Sequence, residues 1–277
     1  METLIPNLTI NAMALSALIG LAIPVALYII LRKKGANHLP FWTGAITFIV
    51  FALVLEQLVY SVLMKTAFWL TVNSNIWLLG IFGGFMAGLF EETGRFIAMK
   101  TVLRKKRAND YNGLMYGAGH GGIEAVILLS VSMVINVIFS LQTNAGQVSP
   151  FGGLDAAQQL ANTPFWMMLV GAIERISAVA IHVSLSVLVW FAAKDGKKFW
   201  LFPLAILLHL LVDAVAVILS RLGVNVWIIE GAVYAMAIAF IFLAIAVWKK
   251  NHIAASEPEA LEAAPAVEAA QDTEAQV

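Results

Sequence analysis

Long apolar segments alternate with short polar or basic loops along most of the chain. Each of seven segments is apolar enough and long enough to cross the hydrocarbon core of a bilayer, which takes about 20 residues of helix. These segments are residues 8–31, 40–63, 76–102, 111–139, 164–192, 199–220 and 226–248. We therefore predict an all-α, polytopic membrane helical bundle with about seven transmembrane helices, formed by residues 1–250.

The basic residues predict the orientation of the seven spans. If the loops lie alternately on the two sides of the membrane, one side has only Lys65 and Arg221. The other side collects most of the 17 Lys and Arg residues, namely Arg32, Lys33, Lys34, Lys100, Arg104, Lys105, Lys106, Arg107, Lys194, Lys197, Lys198, Lys249 and Lys250. Because cytoplasmic loops carry the excess of Lys and Arg, we predict an N-terminus outside and a C-terminus in the cytoplasm. We expect an integral membrane protein of a bacterial plasma membrane.

Composition narrows the classes of function. Hydrophobic residues make up 61% of the chain and charged residues 12%, a balance that excludes a soluble domain. The chain has no cysteine, which excludes disulfides, thiolate catalysis and cysteine-based zinc sites. The formal net charge is zero and the basic residues lie in loops beside apolar segments, so we expect no nucleic-acid partner.

Two regions outside the spans have a distinct composition. In the longest loop, residues 142–163, the segment Leu154–Leu160 is expected to form a short interfacial helix. From Asn251 onward the chain is rich in Ala, Glu and Pro and has no Lys or Arg. This composition predicts that residues 251–277 form an acidic, disordered cytoplasmic tail. We find no internal repeat of the kind seen in inverted-repeat transporters.

The third span contains charged residues in an otherwise apolar segment. Glu91 and Glu92 are adjacent, and Arg95 follows one helical turn later. An ionised residue near the centre of a membrane helix costs about 2.5–3.5 kcal/mol even on lenient scales, so such residues face the bundle interior and mark functional sites. Glu91 and Arg95 share a helical face, whereas Glu92 is rotated by about 100°. The arginine can therefore hold one carboxylate while the other stays free for chemistry.

Three later spans each contain a histidine, with a polar residue four positions further along on the same helical face. The pairs are His120 with Glu124, His182 with Ser186, and His209 with Asp213. Imidazole suits both metal ligation and proton transfer. The histidines are therefore candidates for the chemistry of a site.

Residue counting predicts that these groups meet. At about 1.5 Å per residue, four titratable groups fall at one level, roughly 15–20 Å from the nearest cytoplasmic polar residues. These groups are Glu91, His120, His182 and His209. Glu124 and Asp213 come out slightly deeper, where a carboxylate can hold a histidine ring in one tautomer. We therefore predict a single site built from four helices.

Some of these residues have a purely structural explanation. A lone intramembrane histidine can simply form a hydrogen bond to a neighbouring helix, and the glycines around His120 are typical of close helix packing. We interpret Glu174–Arg175 as a buried structural pair or a contact in the outer half of the membrane. Glu56 and Glu230 are interpreted as groups that cap or pair near the outer face.

Three motifs stand in order along the chain: Glu91-Glu92-x-x-Arg95, Tyr116-x-x-x-His120 and His209-x-x-x-Asp213. They resemble the signature of the CAAX prenyl endopeptidase and bacteriocin-processing clan of intramembrane proteases, with its PrsW relatives. The chain is most similar to the YhfC family of intramembrane metalloproteases, in its Glu-Glu-x-x-Arg spacing and its Gly-rich stretch around His120. The resemblance covers the seven spans and excludes the tail. The CAAX branch usually places its arginine one residue further on and often has Asn where this chain has Asp213.

The resemblance implies a hydrolase, an intramembrane endopeptidase that cleaves a membrane-associated protein or peptide. Glu91, or Glu92 if the helix is rotated, would deprotonate the attacking water. In a metal-dependent version, His120, His182 and His209 would bind Zn²⁺, and Asp213 would either orient a ligand or bind the metal itself. In a metal-free version, His209 and Asp213 would stabilise the oxyanion while His120 holds the water. The residues leave both versions open.

Two other classes of function stay open at this stage. Buried acids and histidines also serve as proton relays in ion-coupled transporters, although those usually contain repeats and broken helices. A polar cluster can also stabilise helix packing in a membrane scaffold without catalysis. The expected partners are the lipid bilayer and a membrane protein or peptide substrate, and the oligomeric state is not predicted.

Overall fold

Seven long helices dominate the computed structural model of the protein, which describes residues 4–252. Residues 1–3 and 253–277, and with them almost all of the predicted acidic tail, lie outside the described residues. The helices are α1 (Asn7–Lys33), α2 (Leu39–Leu63), α3 (Ala67–Ser74), α4 (Ile76–Lys100), α5 (Tyr111–Asn144), α6 (Leu154–Asn162), α7 (Met167–Lys194), α8 (Leu201–Arg221) and α9 (Val226–Asn251).

The predicted all-α membrane bundle is confirmed. Within residues 4–252 there is no β-strand, and seven helices are long and apolar enough to cross a membrane. Their ends lie within a few residues of the predicted spans; the fourth differs most, because α5 continues to Asn144 rather than ending near residue 139. The short helix expected at Leu154–Leu160 is present as α6.

Side-chain caps explain where two of the spanning helices begin. The amide oxygen of Asn75 accepts hydrogen bonds from the backbone N–H groups of Trp77 and Leu78 at 2.9 and 3.1 Å. In the same way, Asn225 accepts from the N–H of Trp227 at 2.9 Å. Asparagine is a preferred N-cap because it satisfies donors that lack an intrahelical partner. These caps define the first residues of α4 and α9.

Helix α7 lies at the centre of the bundle and packs against α1, α4, α5, α8 and α9. In its most apolar window, 78% of the residues are buried, compared with about a third or less in each of the other six spans. Its second half supplies much of the main apolar cluster, including Leu185, Leu188, Trp190 and Phe191. A side chain on α7 therefore faces protein on several sides. His182, near the middle of this helix, can for this reason contact residues of several other helices.

Glycines let α4 and α8 approach closely. Gly80, Gly84 and Gly88 recur every four residues on one face of α4. A Cβ at Gly84 would lie 2.5 Å from the carbonyl oxygen of Leu210, and one at Gly88 would lie 2.8 Å from that of Ile206. Small residues at this spacing allow membrane helices to pack backbone to backbone. The crossing brings the next turn of α4, with its two carboxylates, beside the histidine of α8.

This crossing gives a test of the fold with a neighbouring control. We expect Gly84→Ala to lower the thermal stability of the purified protein, because the added methyl group meets α8 backbone that cannot move as a side chain can. Overpacking of this kind costs about 1–3 kcal/mol. Gly83→Ala should be nearly neutral, since a Cβ there meets nothing within 4 Å. Equal melting temperatures for the two variants would contradict the close crossing.

Glycines also hold α5 against its neighbours. A Cβ at Gly117 would lie 2.7 Å from the backbone of α7, and one at Gly121 would lie 3.0 Å from the Cβ of His182. On another face, a Cβ at Gly119 would lie 1.9 Å from the carbonyl oxygen of Phe41, in the first turn of α2. These contacts confirm the packing interpretation of the Gly-rich stretch. They place His120 between α2 and α7.

A buried carboxylate ties three helix ends together outside the membrane-spanning segments. Asp110, just before α5, accepts hydrogen bonds from Trp190 and His252 at 2.9 Å each, and it also pairs with Lys194. Burial raises the pKa of Asp110, but the hydrogen bonds from Lys194, Trp190 and His252 outweigh it and hold that pKa below its ordinary value. Asp110 therefore links α5 to the last turns of α7 and α9.

Candidate active site

Charged and histidine side chains from α4, α5, α7 and α8 come together inside the bundle. Each is at most 7% exposed, and Glu92, Arg95 and His120 are fully buried. The group consists of Glu91, Glu92, Arg95, His120, His182 and His209. Ionised groups at such depth need partners, because an unpaired buried charge costs several kcal/mol. The hydrogen bonds of each member therefore show how the cluster is organised.

One half of the cluster is formed by Glu91, His120 and His182. Oε2 of Glu91 lies 2.9 Å from Nε2 of His120 and 4.0 Å from Nδ1 of His182. Each residue offers one potential ligand atom, and these three atoms all lie within 4.8 Å of one another. Two imidazoles and a carboxylate in this arrangement can hold a metal ion.

The second half of the cluster surrounds His209. Its Nδ1 lies 2.9 Å from Oε1 of Glu92, and its Nε2 lies 3.5 Å from Oδ2 of Asp213. Arg95 pairs with Glu92 at 3.2 Å, three residues earlier on α4. The arginine therefore holds Glu92, and Glu91 is the carboxylate left to face the two other histidines.

Arg95 and Glu124 together define the tautomer of His182. Arg95 donates through Nη2 to Nδ1 of His182 at 3.1 Å and through Nη1 to the carbonyl oxygen of that residue at 3.2 Å. Because a guanidinium can only donate, Nδ1 is the acceptor and the ring proton lies on Nε2. Nε2 in turn lies 2.5 Å from Oε2 of Glu124. The lone pair of Nδ1 thus accepts from Arg95, and a metal ion held by Nδ1 would take the place of that hydrogen bond.

Glu124 is supported by a second arginine that sequence reasoning left out of the site. Nη1 of Arg175 lies 2.5 Å from Oε1 of Glu124, and Arg175 also pairs with its neighbour Glu174. The expected Glu174–Arg175 pair therefore exists, but it extends to the carboxylate that holds His182. The available signal was spacing: Arg175 precedes His182 by seven residues, which places both on one face of α7.

Glu56 also belongs to the surroundings of the cluster. It ends a π-helical segment of α2, Ile49–Glu56, and its side chain is buried. The segment that Glu56 ends packs against α4, the helix that carries Glu91 and Glu92. Short π-helical segments inside membrane helices frequently occur at functional sites.

Aromatic rings enclose His120. The ring of Phe48 meets it edge-on at a centroid distance of 5.3 Å, and Tyr116 stacks against it at 6.0 Å. Nδ1 of His120 and the hydroxyl of Tyr116 are both buried without a hydrogen-bond partner among the described residues. Buried polar atoms are normally satisfied in native proteins, so these two atoms leave hydrogen-bonding capacity beside the cluster.

The structure divides the sequence-predicted site residues between the two halves. His120 and His182 lie with Glu91, whereas His209 lies with Glu92 and Asp213 outside the group that could hold a metal. The two halves are adjacent, since the rings of His182 and His209 are 5.4 Å apart between centroids. A set of ligands made from the three histidines alone is thus not the one that the geometry favours.

Comparisons with known proteins agree with the motifs. A family model described as YhfC intramembrane metalloprotease matches residues 19–233. The chain is also similar to the uncharacterized membrane protein YhfC of Bacillus subtilis (strain 168), with 35% identity over 220 residues, which is 76% of this chain and 84% of that relative. No solved structure matches the chain significantly. The residues matched by the family model include every member of the cluster.

Proposed function

This chain belongs to the YhfC intramembrane metalloprotease family, and we propose that it hydrolyses peptide bonds of membrane-associated proteins or peptides within the bilayer. The observation that carries the proposal is the buried group of Glu91, His120 and His182, whose potential ligand atoms lie within 4.8 Å of one another. Its position inside an integral membrane protein suits a reaction on a substrate that is itself in the membrane.

We propose that this group holds a divalent cation, in place of the three-histidine set suggested by the sequence. Two histidines and one glutamate form a ligand set found in zinc hydrolases, with a fourth position open to water. Zn²⁺ bound there would supply a Lewis acid that activates water and polarises the substrate carbonyl. The mixed set of imidazole and carboxylate donors supports a bound cation.

The remaining residues of the cluster have supporting roles in this proposal. Glu124 holds His182 in the ligating tautomer, as carboxylates do around metal-bound imidazoles. Arg95 neutralises Glu92 and keeps it bonded to His209. With a carboxylate near each ring nitrogen, His209 is placed to hold a proton and give it to the leaving amine.

Substrate access is proposed from the side of Asp213. Its side chain is 36% exposed, whereas that of Glu91 is 10% exposed and those of Glu92 and Arg95 are fully buried. Asp213 also contacts His209, the proposed proton donor. A peptide that approaches along α8 would therefore reach His209 before it reaches the metal-holding group.

Two observations favour catalysis over the other classes of function. A cluster that only stabilised packing would leave few buried polar atoms unsatisfied, yet the hydroxyls of Tyr116 and Ser186 and Nδ1 of His120 are all orphaned among the described residues. Transporters of the inverted-repeat type use broken helices at their binding sites. Here α4, α7 and α8 are each continuous past the cluster.

A comparison of membrane proteomes tests the proposed function. Cells that contain the wild-type protein and cells that contain Glu91→Gln at equal abundance are compared for precursors of membrane proteins or peptides. We expect at least one precursor to accumulate only with the variant, with its cleavage site in or beside a membrane segment. Identical proteomes under several growth conditions would contradict a protease and would favour a scaffold.

A further inference from the structure

A groove with a volume of about 720 Å³ lies between α1, α7 and α9, with the start of α5 at one end. None of the charged or histidine residues of the active-site cluster lines it. Its walls are almost entirely apolar, and side chains such as Ile176, Ile241 and Ile245 are partly exposed at its rim. In a membrane-spanning bundle, such a rim opens toward the acyl chains of the bilayer. The groove is therefore separate from the proposed catalytic centre.

The groove has the length of one leaflet. On α1 its lining runs from Ile23 to Lys34, and on α7 from Ile176 to Val187, a difference of 11 residues in each case. At about 1.5 Å per residue this is roughly 16 Å. Half of a hydrocarbon core about 30 Å thick is roughly 15 Å. The groove therefore extends from the membrane surface to about the middle of the bilayer.

The surface end of the groove is basic and aromatic. Lys34, Tyr111 and Trp248 line it there, and Nζ of Lys34 lies 5.8 Å from the centre of the Tyr111 ring. The ends of α1 and α9 add Lys33 and Lys250, both exposed. Aromatic side chains of this kind lie at the headgroup level of membranes. Basic residues at that level attract anionic lipids.

Nearby acidic groups do not cancel this charge within the described residues. Asp110, which precedes α5 at the same end, is buried and already bonded to Lys194, Trp190 and His252. Lys34 has no ion pair with a carboxylate in the described part of the chain. Among residues 4–252, no carboxylate therefore pairs with the basic end of the groove.

The length, the apolar walls and the basic end of the groove decide the occupant. An extended acyl chain matches the apolar walls and the length of about 16 Å, and the phosphate of an anionic headgroup matches the basic end. Residues 253–277 are a poor match for the apolar walls, because they contain few large apolar residues. We propose that the groove binds one acyl chain of an anionic phospholipid, with its phosphate at Lys34.

Lipid retention by the purified full-length protein tests the headgroup half of the proposal. The protein is incubated in detergent with equal amounts of phosphatidylglycerol and phosphatidylcholine, and bound lipid is counted by native mass spectrometry. We expect one phosphatidylglycerol to be retained in preference to phosphatidylcholine. Lys34→Ala should weaken phosphatidylglycerol retention about fivefold, since one surface lysine contributes about that factor. Lys65→Ala, which changes a lysine at the other end of the bundle, should leave retention unchanged.

A matched pair of substitutions on α1 tests the acyl-chain half. Ala26 lines the groove and is exposed, so Ala26→Trp should fill it without disturbing the core. Ala22→Trp makes the same change one turn away, at an exposed position that does not line the groove. We expect retention to be lost in the first variant and kept in the second, with equal melting temperatures. Equal retention of both lipids, or full retention by Ala26→Trp, would overturn the proposal. None of these readouts depends on peptide cleavage.

Discussion

Glu91→Gln is expected to abolish peptide cleavage, with a loss of at least about 10³-fold in rate on a substrate found by the proteome comparison. The amide that replaces the carboxylate is a poor metal ligand. Glu91 is also the residue that joins the two histidines of the metal-holding group, at 2.9 Å from His120 and 4.0 Å from His182. One substitution therefore removes the negative charge of a metal ligand and weakens the contact that joins the two histidines.

The control for this experiment is Glu230→Gln. Glu230 is a buried glutamate of α9 that is not part of the cluster, so the same chemical change there should leave the cleavage rate within about twofold. Both variants should keep the elution profile and helix content of the wild-type protein. Cleavage by purified Glu91→Gln at the wild-type rate would remove this residue from the mechanism.

His209→Ala is expected to separate proton transfer from metal binding. We expect cleavage to fall by about 10²–10⁴-fold, the usual contribution of a general acid or base. The metal content should stay unchanged, because His209 lies with Glu92 and Asp213 outside the group that could hold the ion. The rate is measured in proteoliposomes with the same substrate, and the metal by elemental analysis of the purified protein.

His38→Ala serves as the control for a lost imidazole. His38 lies at the exposed start of α2, where it contacts Tyr28, and it has no contact with the cluster in the described structure. We expect full activity and full metal content in that variant. If His209→Ala lost its metal together with its activity, His209 would be a ligand and the three-histidine set suggested by the sequence would be restored.

Much of the fold follows from the sequence alone. Apolar segments about 20 residues long must be helical in a bilayer, because no water satisfies their backbone groups. Helix ends were less predictable, as the extension of α5 to Asn144 illustrates. Glycines also mark the close helix crossings, because Gly84 on α4 and Gly117 on α5 lie against the backbone of neighbouring helices. These contacts could be identified only once the partner helices were known.

The depth of the site residues in the membrane could be predicted from the sequence. Which side chains pair with one another could not. Counting residues brought the histidines and glutamates to one level, yet it could not show that Arg95 pairs with Glu92 rather than Glu91. Both glutamates are within reach of the arginine on α4, at i,i+4 and i,i+3, so contacts with the neighbouring helices decide which one it meets. Likewise, only the crossing of α5 and α7 brings Glu124 to His182. Such pairings depend on helix packing, which no local pattern encodes.

Metal analysis of the purified protein tests the central claim most directly. The wild-type protein, His120→Ala and His209→Ala are purified without chelators, incubated with a limited amount of Zn²⁺, and measured by elemental analysis after removal of free metal. We expect about one zinc per chain in the wild-type protein and in His209→Ala, and none in His120→Ala. Equal zinc in all three proteins, or none in the wild-type protein, would contradict a metal site built on Glu91, His120 and His182.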